Sequence, residues 1–234
     1  IGDKTLNSNV KHHVMATRTL ISQAVLSATS DGSVIEAQEV LLARYEYAHD
    51  RWNFPTDFVI PIDVQLHYMR ELLAAGTTRR LMLHLSQLQF INAETVARLT
   101  AFIAGEPMDV KLMVELDHNI DVDLLAAHAA RYQASGIEIG LINLDARKSL
   151  ANLTPRLPYV NMIKLACASV RDRYPDGLTD PQLQIWENTI RPHHLKLVIN
   201  GIENSQDAAF VREKLHVQYL QGYYYDRPEL PRLA

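Results

Sequence analysis

Cysteine is nearly absent: Cys167 is the only one in 234 residues. That excludes an intrachain disulfide and suits a reducing, cytoplasmic setting. No run of about 18 apolar residues occurs, so no membrane-spanning helix and no membrane contact are expected. No signal-peptide pattern is visible. An excess of basic residues is missing as well. The net charge is −4, which argues against direct nucleic-acid binding through overall charge. The first residue is Ile1 rather than a methionine, in keeping with a fragment of a longer protein whose other parts contribute to function. What is present is the composition of a globular domain, 47% hydrophobic. The length suits one α/β barrel, which routinely takes about 250 residues.

Residues 1–17 (IGDKTLNSNVKHHVMAT) are polar and weakly patterned. They read as a linker or lead-in segment, with His12-His13 as an exposed polar pair rather than a metal site. Leu20–Ala28 and Val34–Arg44 are β-type runs joined at Ser30-Asp31-Gly32-Ser33, a hairpin signal, so the domain is expected to open with an antiparallel pair. Phe54-Pro55-Thr56-Asp57 reads as a turn. Ile62–Ala75 reads as an amphipathic helix with Leu66, Met69, Leu72 and Leu73 on one face, Asp63 near its start and Gly76 as its stop. Further strands are expected at Leu81–Leu85, Val110–Leu116, Ile137–Leu144, Tyr159–Leu165, Leu195–Ile199 and Val217–Leu220. Helices are expected from Asn92 to Ala104, from Asp121 or Asp123 to Gly136, up to Arg191-Pro192, and after Asn204 or Ser205.

Regular strand–helix alternation implies parallel strands joined by helical crossovers. With an antiparallel start, the pattern fits a modified TIM-type (β/α)8 barrel better than an open sheet. In such barrels the chemistry sits at the C-terminal strand ends. Those ends carry Glu39, His84 and Ser86, Glu115, Asn143, Lys164, Asn200 and Gln221, so one mouth would gather acids, a lysine and amides.

Residues 20–231 resemble the bacterial EAL domain, the cyclic-di-GMP phosphodiesterase family. NGIEN at Asn200–Asn204 is similar to the family's EGVET, and YLQGYYYDRPELP to its YxQGYxxxRPxP. Leu157-Pro158…Ile163-Lys164 resembles LP…KID, Leu83-His84-Leu85-Ser86 the xNxS strand, Val114-Glu115-Leu116 the ExxE strand, and Glu39-Val40-Leu41-Leu42 the EAL signature. Order and spacing together carry the match. On this resemblance residues 18–234 form a degenerate EAL domain. The family's barrel has an antiparallel first strand, and its active members hydrolyse cyclic-di-GMP by two-metal activation of water, with carboxylates and an amide holding the ions and a lysine orienting the nucleophile.

Glu39, Glu115, Lys164, Glu203 and Gln221 stand at matching positions. The signature asparagine is replaced by His84. The paired aspartates of the DDFG segment fall near Ile142-Asn143, where only Asp145 offers a carboxylate. The first glutamate of EGVE is replaced by Asn200, and the aspartate of KID by Ala166. Magnesium and manganese want hard anionic oxygens, so the substitutions imply no metal site, no catalytic residues and no hydrolysis. The ligand set that the resemblance implies, if nucleotide binding is retained, is Gln23, Glu39, Leu41, Arg44, Asp63, His84, Glu115, Lys164, Asn200, Glu203, Gln221 and Tyr223. No cofactor is expected, with cyclic-di-GMP as a metal-independent ligand.

Two departures bear on that ligand. The arginine that directly follows the signature is Ala43 here, with Arg44 one residue later, and a one-residue slip on a strand changes its face. The segment before IPID is also short, removing part of one groove wall. EVLL and LHLS resemble FimX-type receptors, which bind cyclic-di-GMP without cleaving it. The slipped Arg44 and the short wall resemble members that bind no nucleotide and act as protein adaptors. Three classes stay open: an adaptor for a regulatory protein, a metal-independent receptor, and an active phosphodiesterase. Homodimerisation is compatible, since members often dimerise through the region after the DDFG segment, although that segment is altered here.

Plainer roles compete for several residues. Glu36 is a rival for Glu39's place. His84 fits as a satisfied interior histidine, and Lys164 and Glu115 fit as a buried pair with each other or with Glu39. Part of Tyr223-Tyr224-Tyr225 is packing, although a ring at the mouth would stack on a guanine. His193-His194 precedes a strand at the opposite end from the mouth.

Overall fold

The computed structural model describes residues 17–29, 32–46, 51–53, 59–76, 78–106, 109–147, 150–177, 180–215 and 217–227, some of them by their backbone alone. The readings of residues 1–16, of Phe54–Asp57 and of the segment from Pro228 onward fall outside these. Nine strands form one sheet: β1 (Thr17–Thr29), β2 (Gly32–Glu46), β3 (Arg51–Asn53), β4 (Arg80–His84), β5 (Lys111–Asp117), β6 (Ile137–Leu144), β7 (Met162–Ala166), β8 (Lys196–Asn200) and β9 (Tyr219–Leu220). From β2 through β4 to β9 every neighbour is parallel. β1 is antiparallel to both β2 and β9 and closes the sheet. β3 pairs only with the outer end of β2. Without β3 the structure is a closed eight-stranded barrel with an antiparallel first strand.

The helices follow local chemistry. α1 (Ile62–Ala75) buries Leu66, Met69 and Leu73 and stops at Gly76, whose φ of 75° is left-handed and whose N–H bonds Leu73 O. α3 (Ala93–Gly105) is capped by Asn92 Oδ1 on Glu94 N, and α4 (Val122–Ala134) by Asp121 Oδ1 on Leu124 N. α6 spans Asp180–Ile190, and α7 (Ser205–Phe210) is capped by Asn204 before passing into a π-type turn, Val211–Leu215.

Three short elements escape the periodicity: β3, α2 (Gln87–Ile91) and α5 (Cys167–Arg173). Each spans two turns or fewer, too little for a hydrophobic period to register. Strand β7 also starts later than expected. Tyr159 belongs to a 3₁₀ turn, Thr154–Tyr159, and pairing with β6 and β8 begins at Met162.

Alternation along the strands builds two apolar zones. Outward residues such as Val40, Leu83, Val114, Ile163 and Ile199 join the helices in the main core. Inward residues Val25, Ala37, Met82, Met113, Met162 and Val198 fill the floor of the barrel. Ile21, Leu41 and Ala43 form a small apolar group near the other end of the β1–β2 pair. Between floor and rim lies a layer of polar and charged side chains. Among the described residues no helix is long and apolar enough to cross a membrane.

Candidate functional site

Strand parity brings the central layer together. Glu39 on β2 stands level with Met82 of β4, His84 of β4 with Glu115 of β5, and both pairs share the inward face. Lys164 enters from β7 and Gln221 from the end of β9. His84 Nε2 lies 2.6 Å from Glu39 Oε1 and 2.8 Å from Glu115 Oε2. Lys164 Nζ lies 2.9 Å from Glu39 Oε2 and 2.6 Å from Glu115 Oε1. Each carboxylate thus offers one oxygen to the histidine and the other to the lysine. Gln221 Nε2 also donates to Glu39 Oε2.

The four charged groups are almost wholly enclosed, with His84 the most accessible at 11% of its side chain. Burial disfavours each charge, so their states depend on one another. Burial opposes ionisation of Glu39, but the Lys164 charge and the His84 hydrogen bond outweigh it and hold its pKa well below the usual carboxylate range. Burial also opposes protonation of His84, yet hydrogen bonds to Glu115 and Glu39 raise its pKa to about 9. The same carboxylates raise Lys164 against its own burial. At neutral pH Glu39 is therefore held as a carboxylate, His84 as an imidazolium and Lys164 as an ammonium.

Gln65, buried in the first turn of α1, steadies this arrangement. Its Nε2 donates to Ile60 O and to His84 O, each at 3.3 Å. A glutamine on an otherwise apolar helix face was the one available hint of this role.

The EAL domain family model matches residues 60–228. This chain belongs to the EAL domain family. Solved EAL domains share its fold. That of FimX from Pseudomonas aeruginosa, bound to c-di-GMP, is 19% identical with a TM-score of 0.66, covering 91% of this chain and 90% of that one. FimX from Xanthomonas citri, in complex with c-di-GMP, is 18% identical with a TM-score of 0.66, covering 91% and 88%. The PaMucR phosphodiesterase, in a c-di-GMP complex, is 19% identical with a TM-score of 0.62, covering 92% of each chain. None of the curated proteins matches.

Within this EAL barrel, five of the twelve candidate ligand residues form the cluster: Glu39, His84, Glu115, Lys164 and Gln221. Glu36, the rival for Glu39, points to the floor, where Arg80 and Lys196 hold it at 3.6 and 3.5 Å. Asn200 stands level with Ala166 at the end of β8, half-buried. Gln23 is turned to the C-terminal segment, its Nε2 donating to Asp226 O at 3.1 Å, while Asp226 Oδ2 accepts from Ala24 N at 2.6 Å. Leu41 packs with Ile21 and Ala43. Glu203 is exposed beside Tyr223, whose phenol is pushed up to about 12 by burial and then by that carboxylate. Asp63 lies outside the cluster: it is exposed on α1 and ion-paired with Arg98 of α3. The Arg44 side chain lies outside the described residues. Its backbone pairs with Asn53 of β3, and Ala43, not residue 44, has the strand parity of Glu39 and Leu41.

The segment corresponding to DDFG is equally altered. Asn143 takes a left-handed φ of 59° and donates from Nδ2 to Asp117 Oδ2 at 3.0 Å. Asp145, the nearest carboxylate, is bound by Arg147 through Nε at 2.9 Å and Nη2 at 2.8 Å. It contributes nothing to the central cluster. Glu39, His84 and Glu115 each offer one ligand atom within 4.8 Å of the others, close enough to share a cation. The remaining oxygen of each carboxylate already carries Lys164, and the shared oxygens face the protonated His84. The donor set fits a proton-bearing imidazole better than a hard divalent ion.

Proposed function

We propose that this EAL domain is a non-catalytic regulatory module of cyclic-di-GMP signalling that works without a divalent metal and acts by contact with a protein partner. The observation that carries this reading is the place of His84. Its Nε2 sits between the two carboxylates at 2.6 and 2.8 Å, where a cation bridging Glu39 and Glu115 would go. Its pKa of about 9 keeps it charged at neutral pH, so it supplies the positive charge that the pair requires. A metal would have to displace that proton and the ring with it. Asp145, held by Arg147, and Asn200, which is neutral, add no replacement carboxylate.

The preference for an adaptor over a nucleotide receptor rests on charge. The inward cations of the described barrel mouth, His84 and Lys164, are both engaged by Glu39 and Glu115. Asp117 ends β5, and Glu203 lies in the loop that follows β8. A cyclic dinucleotide brings two phosphodiester charges, and such a rim repels them.

The second reading, a metal-independent receptor, is favoured by the likeness to two FimX domains solved with c-di-GMP. Calorimetric titration with cyclic-di-GMP, in chelator and in magnesium, separates the readings. No heat at near-millimolar ligand supports the adaptor. Binding in chelator establishes the receptor instead. Turnover to the linear dinucleotide with magnesium or manganese overturns both.

A further inference from the structure

The connection from β6 to β7 lacks the crossover helix that the other parallel links use. Among its described residues it holds two 3₁₀ turns, Leu150–Asn152 and Thr154–Tyr159. Pro155 and Pro158 lie in the second and withhold N–H groups from any longer helix. A full helix would cover the outer faces of both strands. Instead a cavity of about 670 Å³ opens beneath the turns, within the roughly 300–1,000 Å³ range of small-molecule sites. Its floor is apolar, from buried Leu144, Leu153 and Leu165. Its rim is polar, with His118 and Asn119 from the β5–α4 turn and Asn152 and Arg156 from the 3₁₀ turns.

Arg156 sets the chemistry. Its Nε donates to Ile120 O at 3.0 Å and its Nη1 to Asn152 O at 2.8 Å. Two backbone carbonyls thus hold the guanidinium plane, and the second terminal nitrogen is left over. No carboxylate pairs with Arg156 among the described residues. The one acid lining the cavity, Asp145, is already taken by Arg147. A guanidinium oriented in advance and lacking an acid partner is an anion receptor. The leucine floor suits an apolar body.

We propose that this cavity binds a small amphipathic anion: an aromatic or branched apolar body whose carboxylate, sulfonate or phosphate docks on Arg156. The site stands apart from the Glu39–His84–Glu115–Lys164 cluster and does not rest on the function proposed above. It backs onto that cluster, since Leu165 of the floor follows Lys164 on β7 and faces the other side of the strand.

Two dyes test the proposal on the whole chain: 1-anilinonaphthalene-8-sulfonate and the neutral N-phenyl-1-naphthylamine, with near-ultraviolet dichroism reporting native packing. The sulfonate is expected to bind saturably, one per natively packed chain. Arg156→Gln weakens the sulfonate about tenfold or more, the loss of a hydrogen bond to a charged group, and leaves the neutral dye unchanged. Ala151→Trp, at an exposed wall position, obstructs both dyes without touching the core. Absence of saturable binding to the wild type overturns the proposal. So does Arg156→Gln binding the sulfonate as tightly as wild type, or Ala151→Trp leaving it unchanged. If Arg156→Gln does not fold, Ala151→Trp together with the wild-type preference for sulfonate over neutral dye decides, and equal affinity for the two dyes counts against it.

Discussion

Replacing His84 by asparagine, the family's own residue, removes the imidazolium and leaves two buried carboxylates sharing one lysine. The cost depends on pH, and the sign is set by linkage. His84 titrates at 6.5 when unperturbed and at about 9 in the fold, so the folded state holds the extra proton between those values. The stability from protonated His84 is fully present below 6.5 and is lost as the pH rises through 9. At about 1.4 kcal/mol per pKa unit the shift corresponds to about 3 kcal/mol. Urea unfolding of wild type and His84→Asn, at several pH values from 6 to 10, measures this. The variant is expected to be less stable by about 3 kcal/mol near pH 6 and to approach wild type above pH 9. Cys167, whose thiol burial pushes up to about 11, also lowers stability at alkaline pH, but it does so in both proteins and cancels in the difference. A gap that stays constant across the range, or no gap at all, would refute a charged His84 as the partner of Glu39 and Glu115.

Lys164→Met leaves an uncompensated buried carboxylate and is expected to cost about 3–5 kcal/mol. Adding Glu115→Gln restores charge balance around Glu39 and His84, so the double variant should lose less than the sum of the two single losses, as read by a double-mutant cycle in urea. Two glycines should behave differently in thermal melts. A Cβ on Gly222 would collide with the backbone of Ile202, so Gly222→Ala is expected to lose about 3 kcal/mol or more. A Cβ on Gly140 would meet the end of the Met162 side chain at 2.6 Å. That end can swing aside, and Gly140→Ala should lose about 1 kcal/mol. Equal losses would mean that the barrel interior is stiffer than its methionine layer implies.

Much of the barrel was legible in the chain because its signals are local. Runs of alternating or continuous apolar residues placed eight strands, and Gly76, Asn92 and Asp121 marked helix ends by their own backbone or capping chemistry. Order along the chain, with a hairpin first, was enough to imply a closed barrel with one reversed strand. The strand ends alone gathered Glu39, Glu115, Lys164 and Gln221 at one mouth, and the family resemblance matched these four to its own pattern. It also marked His84, Asn200 and Ala166 as departures.

What those residues do to one another was not local. Period-two parity says that Glu39 and His84 face inward, but not that one imidazole nitrogen reaches both carboxylates. That requires the register Glu39↔Met82 and His84↔Glu115 across three strands. Asp63, which the resemblance placed among the ligand residues, ion-pairs with Arg98 where α1 packs on α3, a contact that no local signal announced. The cavity under the β6–β7 turns was equally invisible, since it exists where a helix is not. The sequence by itself determined the strands, the caps and the inward set of charged residues, because each follows from neighbours along the chain. Only the tertiary structure decided that two acids, a histidine and a lysine close into one buried cluster, because its contacts are set by distances between strands far apart in sequence.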